Sequence, residues 1–191
     1  MAFITDGGGD VISFAENTDL RQKDQKFFES NNIKIPEESG FATLTDYFED
    51  LCEKSTDRIL LKLKASTWWQ SYNAYVGTPI TNLNALPNVN PNRIDPGNTL
   101  GRQQQFTDMC VYYTFSQFLF PLVADFGNPE SEEVSKITYY DAKYNDLFNE
   151  LISIADWYDA DGDGTVEDSE KAVSYMRTRR SRSRRSVVPI R

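Results

Sequence analysis

Apolar residues recur at helical spacing in three stretches of the chain. Between 43 and 64 they fall every three or four positions, and Thr43 or Thr45 can cap the start. Residues 104–120 are apolar on nearly every side, which predicts burial all round and, in so small a chain, burial against other subunits as well as against its own core. Residues 129–158 keep the period over a longer helix, roughly 45 Å at about 1.5 Å per residue, capped by Asn128. The pattern predicts a mainly α protein with a three-helix core.

The stretches between these helices follow no helical period. Residues 1–42 are predicted to be an irregular N-terminal segment, with one short helix possible near 17–30. Residues 65–104 hold four prolines and seven asparagines, which predicts a long extended loop insertion. Trp68 and Trp69 at its start argue against disorder, because disordered chains are poor in aromatic residues. We therefore expect neighbouring chains to order this loop.

The twelve residues 159–170, DADGDGTVEDSE, match the calcium-binding loop of an EF-hand. Carboxylate and carbonyl oxygens at this spacing converge on one point, as Ca²⁺ requires. Sensor EF-hands come in pairs, whereas this loop has no second copy, so a structural Ca²⁺ that fixes the third helix to the following tail is favoured. The alternative is an acidic turn that caps the helix without metal. The predicted ligands are Asp159, Asp161, Asp163, Thr165 and Glu170.

The charge of the chain is divided between an acidic body and a basic end. The net charge is −9, yet residues 177–191 carry seven arginines and no acid. A short helix followed by a basic C-terminal arm is predicted for 171–191. An arm of this kind binds phosphate or an acidic protein surface. Docking on protein is favoured, because the body is acidic and the apolar ending SVVPI suits a pocket; binding to nucleic acid is the alternative.

Several function classes lack their usual residues. The chain has no histidine, and its two cysteines, Cys52 and Cys110, fit no zinc or redox spacing and are expected to be buried thiols. No glycine-rich phosphate loop or nucleophile elbow occurs, so an enzyme is not expected. No secretory signal and no run of roughly 20 apolar residues is present, which predicts no membrane contact and assembly inside a cell.

The order of these elements, with the third-helix sequence SKITYYDAKYNDLFNELI, resembles the head–tail connector (adaptor) proteins of tailed bacteriophages. The resemblance implies a helical connector domain over 43–158 and a ring, a 12-mer in that family, that joins the portal to the tail in the virion neck and leaves a DNA channel. It also implies that the C-terminal arm contacts the portal protein. The long loop, with Trp68 and Trp69, would contact neighbouring subunits or the next tail protein. The portal-binding residues would be Arg177, Arg179, Arg180, Arg182, Arg184 and Arg185.

Two alternatives to a structural virion protein stay open. One is a calcium-binding EF-hand module, and the other is a nucleic-acid-binding protein with an Arg/Ser-rich tail. The length of the 65–104 loop and the strongly basic tail both depart from the connector family.

Overall fold

The computed structural model describes residues 3–5, 7, 10–30, 33–35, 40–69, 94, 96–128, 131–159 and 165–166. Of these residues 72% are helical, in six helices, and one small two-stranded sheet accompanies them. The predicted mainly α class is therefore confirmed. Among the described helices, none combines the length and apolarity needed to cross a membrane.

The elements follow one another with a helical core behind a short N-terminal hairpin. They are β1 (Ile4–Thr5), β2 (Val11–Ser13), α1 (Asn17–Lys23), α2 (Gln25–Ser30), α3 (Leu44–Ala65), a 3-10 helix (Pro96–Arg102), α4 (Gln103–Thr114), a π-helical turn (Phe115–Leu119), α5 (Phe120–Val123) and α6 (Glu132–Ile154). The hairpin strands are antiparallel, with Ile4 opposite Ser13.

Helix α3 begins and ends as its sequence predicts. Thr43 is the N-cap, and its side-chain oxygen accepts a hydrogen bond from the Asp46 backbone N–H at 3.1 Å. Asp46 lies in the first turn and Lys62 and Lys64 in the last, so the charges at both ends oppose the helix dipole favourably. The apolar stripe of α3 packs against α4, and Lys62 also reaches α6, where its Nζ donates to Asn145 Oδ1 at 2.9 Å.

The second predicted helix is a continuous helical path from Gln103 to Val123, interrupted by a π-turn. Pro121 does not end it. Proline has no backbone N–H to donate, and the ladder shifts just before it, where the Phe120 N–H bonds to the Phe115 carbonyl five residues back. This helix runs antiparallel to α3 and α6: Phe106, near its start, lies beside Trp157, and Phe120, near its end, stacks on Tyr140.

The predicted burial of this helix in the core of its own chain is confirmed, and contact with other subunits stays a prediction. Most of its apolar side chains are covered by α3, by α6, and by the N-terminal hairpin and short helices, while Leu122 is 52% exposed. The residues shielded in this way are Phe106, Met109, Cys110, Val111, Phe115, Leu119 and Phe120. Each fully buried large side chain stabilises the fold by about 1.5–3 kcal/mol.

The third helix is shorter than predicted at both ends. Ser131, and not Asn128, is the N-cap, and its Oγ accepts the Val134 N–H at 3.3 Å. The helix ends at Ile154 because Ala155 adopts the left-handed conformation with φ 62°, which turns the chain back towards the core. The rod is therefore roughly 35 Å long, at about 1.5 Å per residue, and not 45 Å.

The N-terminal segment is an integral part of the core, which corrects the prediction of an irregular stretch. Phe14, Leu20 and Phe27 are fully buried. The Phe14 backbone is fixed from two helices: its N–H donates to Thr56 Oγ1 at 3.0 Å, and its carbonyl accepts from Thr107 Oγ1 at 2.8 Å. The short helix predicted near 17–30 is confirmed as two helices, α1 and α2, separated by Asp24.

Cys52 and Cys110 are buried free thiols, as expected. They lie on the facing sides of α3 and α4, where Cys110 Sγ donates to the Cys52 carbonyl at 3.4 Å. The side-chain hydrogen bond with Cys110, followed by burial, raises the pKa of the Cys52 thiol, which keeps it protonated and unreactive.

Candidate functional site

Three separate parts of the chain meet at one end of the helical core. The stretch after α3 contributes Trp68 and Trp69, and the stretch after α6 contributes Trp157 and Tyr158. The ring centroids of Trp68 and Trp157 lie 4.4 Å apart, and those of Trp69 and Tyr158 lie 5.1 Å apart with the rings edge to face. We call these four residues the aromatic cluster. The 3-10 helix Pro96–Arg102 is the third part, and it leads from the long insertion into α4.

The structure corrects the role predicted for Trp68 and Trp69. Only 6% of Trp68 and 3% of Trp69 is exposed, because both rings pack inside their own chain against Trp157 and Tyr158. A side chain buried in this way has almost no surface left for a neighbouring subunit. The sequence correctly indicated that the two tryptophans are ordered, but it could not show that the partner lies 89 positions later in the same chain (157 − 68 = 89).

The segment after α6 is tied to the 3-10 helix by polar contacts. Arg102 donates two hydrogen bonds to Asp156, from Nε to Oδ1 at 3.1 Å and from Nη2 to Oδ2 at 2.6 Å. The hydrogen bond with Asp156 raises the pKa of Arg102. Three residues after Asp156, the Asp159 backbone N–H donates to the Asn98 carbonyl at 2.9 Å. These bonds fix the chain as it enters the predicted calcium loop.

The loop itself returns to the same 3-10 helix. A Cβ placed on Gly101 would lie 3.5 Å from Val166 Cγ2, so the Val166 side chain sits directly over this glycine. Val166 is the hydrophobic eighth position of the loop, which in paired EF-hands meets a second loop. Here the 3-10 helix takes that place, which is compatible with a single, unpaired loop.

The predicted metal ligands are only partly within the described residues. Asp159 is anchored and 5% exposed, and Thr165 is exposed beside Val166, whereas Asp161, Asp163 and Glu170 lie outside the described residues. Within the described ranges no three acidic or cysteine side chains come together as a metal site. The donor set of the loop, carboxylates with one backbone carbonyl, has the hard oxygen chemistry that Ca²⁺ prefers.

The entry to the loop differs from the expected helix–loop–helix geometry. The prediction ran the third helix to residue 158, directly into the loop, but α6 ends at Ile154. The physical reason is the aromatic cluster: the left-handed turn at Ala155 is what places Trp157 in the core, with no exposed surface. The loop is therefore held by a short irregular segment and the 3-10 helix.

The remaining predicted site residues belong to the C-terminal arm. The six arginines of the arm, Arg177, Arg179, Arg180, Arg182, Arg184 and Arg185, lie outside the described residues, as do 70–93 of the long insertion. The described residues that flank these stretches lie at one end of the core. Trp69 and Ile94 flank 70–93, Val166 precedes 167–191, and all three lie beside the aromatic cluster or the 3-10 helix.

A second surface feature was not predicted from the sequence. An open groove of about 760 Å³ lies between β2, α3 and the chain at Ile94 and Pro96. Glu53, Asp57, Thr56 and Lys64 of α3 line it together with apolar side chains. Its acidic residues follow one another at every fourth position from Glu49, a pattern visible in the sequence, whereas the apolar floor depends on the hairpin packing across α3.

Comparison with protein-family models, with curated proteins and with solved structures finds no match for this chain. Function is therefore inferred from the residues and geometry of the chain itself.

Proposed function

We propose that the chain is a structural subunit of the virion neck of a tailed bacteriophage, a head–tail connector that joins the portal to the tail. The observation that carries this proposal is the position of the described residues that adjoin 70–93 and 167–191. Both ends of the 70–93 insertion and the start of the C-terminal part lie at one end of a rigid helical core. A subunit that bridges two rings needs such a core and chain segments that reach from it to the partners.

The lengths of these segments are sufficient for that role. The C-terminal part beyond Val166 has 25 residues, 167–191, and an extended chain spans up to about 3.3 Å per residue, or roughly 80 Å in all. The resemblance to connectors adds the expectation of a twelve-membered ring. In such a ring these segments would contact the portal on one side and the next neck or tail protein on the other.

The charge distribution fits the same role. Residues 177–191 carry seven arginines, whereas the rest of the chain holds all 29 acidic residues. Guanidinium groups bind carboxylates in a bidentate manner, so the arm suits an acidic portal surface, with Arg177, Arg179, Arg180, Arg182, Arg184 and Arg185 as the contacts. An acidic body that lines a channel would repel the DNA backbone and let the genome pass without adhering. No catalytic role is part of this proposal.

In this role a Ca²⁺ ion would stiffen the base of the arm. Asp159 is held by Asn98, and Val166 is held over Gly101, so the two sides of the loop are fixed to the 3-10 helix. An ion bound by Asp159, Asp161, Asp163, Thr165 and Glu170 would offset the repulsion of the carboxylates between these anchors. The direction in which the arm leaves the core would then be fixed.

The test is reconstitution with the portal protein of the same genome. We expect ring-shaped particles by negative-stain electron microscopy when the two proteins are mixed, and loss of binding when residues 177–191 are deleted. Replacing the seven arginines of this stretch by lysines keeps the charge but removes bidentate geometry, so it should weaken binding without abolishing it. The proposal would be refuted if the chain is absent from the virion and if its mixtures with portal contain no ring-shaped particles.

The same deletion separates the two alternatives. A nucleic-acid-binding protein would bind DNA without portal, with log affinity falling against log salt with a slope of roughly −6 for seven arginines, and deletion of 177–191 would remove that dependence. A calcium-binding module would bind no portal with or without the arm, and would change conformation with Ca²⁺ as a monomer.

A further inference from the structure

The groove between the hairpin and α3 leaves apolar surface in contact with water. Its floor is formed by Val11 and Ile12 of β2, Leu60 and Leu61 of α3, and Ile94 and Pro96 before α4. Leu61 is 58% exposed and Ile12 is 37% exposed, although both border a well-packed core. Covering such surface stabilises a complex by about 25 cal/mol per Å² of apolar area.

One wall of the groove is negatively charged, and its carboxylates are not paired with Lys64, which also lines the groove. Glu53 and Asp57 line it, and Glu49 stands one turn before them on the same face of α3. Within the described part of the chain, neither Glu53 nor Asp57 forms a salt bridge, while the nearby Lys54 is paired with Asp50. Burial, and then the charges of Asp50, Asp57 and Glu49, raise the pKa of Glu53, which indicates repulsion at this wall that the nearby Lys54 offsets only in part. A cationic ligand would relieve it.

We propose that in the free protein this groove binds the end of the chain's own arm, residues 184–190, RRSVVPI. Val187, Val188 and Ile190 would lie on the apolar floor, and Arg184 and Arg185 would pair with Glu53 and Asp57. The segment combines a basic part and an apolar part in adjacent positions, which is the complement of an acidic wall beside an apolar floor. Pro189 favours an extended chain, which suits an open groove.

The arm begins close enough to reach this groove. Val166 lies over Gly101, in the 3-10 helix whose first residue, Pro96, lines the groove. That helix has seven residues, so at about 2.0 Å per residue its two ends are roughly 14 Å apart. Residues 167–183 separate Val166 from the docking segment, and 17 extended residues span up to about 55 Å. Binding within one chain is favoured over binding between chains, because a tether of this length gives an effective concentration in about the millimolar range.

This inference goes beyond the connector role, since the groove contact involves the chain alone. If the chain is a connector, the end of the arm would leave the groove when the portal binds Arg177–Arg185. The contact would then hold the arm back before assembly. If the arm does not bind the groove, the expected binding to portal is unchanged. If the chain does not bind portal, the expected groove contact is unchanged.

The experiment is site-specific photo-crosslinking in the full-length chain. With benzoylphenylalanine in place of Val188, we expect crosslinks within a monomer that map by mass spectrometry to residues 11–12 and 57–64. The same photoreactive group in place of Thr178 serves as the control and should give few crosslinks to residues 11–12 and 57–64. Asp57→Lys and Leu61→Glu should each reduce the groove crosslink at least five-fold, because the first reverses the charge of the wall and the second places a charge on the floor.

A matched variant excludes a general surface effect. Leu122→Glu changes a leucine of similar exposure, 52%, at the opposite end of the core, and it should leave the crosslink unchanged. Circular dichroism spectra of all variants should coincide, because the substituted side chains are exposed or line an open groove. Crosslinks confined to a dimer band would assign the groove to the arm of a second copy, and crosslinks elsewhere or none would overturn the proposal outright.

Discussion

The indole rings of Trp68 and Trp157 lie 4.4 Å apart and join the end of α3 to the segment that leads into the calcium loop. Trp157 has no exposed surface, and it also meets Phe106 of α4 at a centroid distance of 5.8 Å. One side chain therefore packs the segment after α6 against both the segment after α3 and the start of α4. Its position is the reason that α6 must end early.

Replacing Trp157 by alanine should destabilise the fold by about 3–5 kcal/mol, since it removes a fully buried aromatic side chain and leaves a cavity. Urea unfolding followed by circular dichroism measures this loss. Tyr139→Ala is the matched control: Tyr139 is an aromatic residue of α6 that is 55% exposed, and its loss should change stability by less than about 0.5 kcal/mol. Equal effects of the two substitutions would contradict the central role of Trp157.

The Arg102–Asp156 pair should contribute a coupling energy of about 1 kcal/mol in a double-mutant cycle. Two hydrogen bonds should give this pair a larger coupling energy than a simple ion pair has. Solvent limits that energy, because the Arg102 and Asp156 side chains are 29% and 25% exposed. Urea unfolding of Arg102→Ala, Asp156→Ala and the double variant gives this value. Arg102→Lys should recover little of it, because lysine cannot form the two parallel bonds.

The exposed pair Asp50–Lys54, four residues apart on α3, is the internal comparison for this cycle. Its coupling should be only about 0.3–0.5 kcal/mol. A coupling of Arg102 with Asp156 no larger than that would show that the loop segment is not held by this contact.

The acidic wall of the groove predicts a dependence of stability on pH. The pKa of Glu53 is raised from its ordinary value of 4.5, so the folded state disfavours the charged carboxylate. At pH 7 Glu53→Gln should therefore increase the free energy of unfolding, by about 0.5 kcal/mol for relief of like charges at helical spacing. As the pH falls through the raised pKa, the natural side chain takes up a proton and the advantage of the variant disappears.

The measurement is the difference in urea unfolding between the natural chain and Glu53→Gln at pH 7 and at pH 4. The difference should favour the variant at pH 7 and approach zero at pH 4. A variant less stable than the natural chain at pH 7 would show that Glu53 is already compensated, which would also weaken the case for an arginine partner in the groove.

The sequence correctly predicted the helices that are determined by residues within one continuous stretch of the chain. Helix α3 carries its cap, its charges and its stripe within one continuous stretch, and its start at Leu44 is one residue from the prediction. The mainly α class followed from three such stripes. The predicted burial of Cys52 and Cys110 was confirmed for the same reason, since each lies on the stripe of its own helix.

The errors occurred where distant residues decide the structure. The end of α6 depends on Trp157 finding Trp68, and no local signal marks Ala155 as the left-handed residue that makes this possible. Likewise, the hairpin is held by Thr56 and Thr107, whose hydroxyl groups bond the Phe14 backbone across more than 40 and 90 positions. The groove was not predicted because its floor is formed by β2 and α3 together. These two elements are far apart in the sequence, so no local pattern shows that they pack against each other.

The calcium loop gives a prediction that uses the aromatic cluster as its reporter. Trp157 stands two residues before Asp159, so excitation of the indole should sensitise luminescence of a Tb³⁺ ion bound in the loop, and Ca²⁺ should displace it. Asp161→Asn with Glu170→Gln should abolish the signal. These positions are better than Asp159 for the test, because Asp159 is buried, at 5% exposed, and replacing a buried side chain would disturb the fold as well as the ion.

Two controls separate metal binding from effects on the reporter. Asp125→Asn removes an exposed carboxylate from the loop before α6 and should leave the luminescence unchanged. Trp157→Phe should reduce the luminescence without removing it, since the Trp68 ring lies 4.4 Å from that of Trp157 and can also transfer energy. Bound Ca²⁺ at 100 times its dissociation constant should raise the free energy of unfolding by about 2.7 kcal/mol. If the natural chain gives no Tb³⁺ luminescence and no stabilisation by Ca²⁺, the loop is an acidic turn that binds no metal.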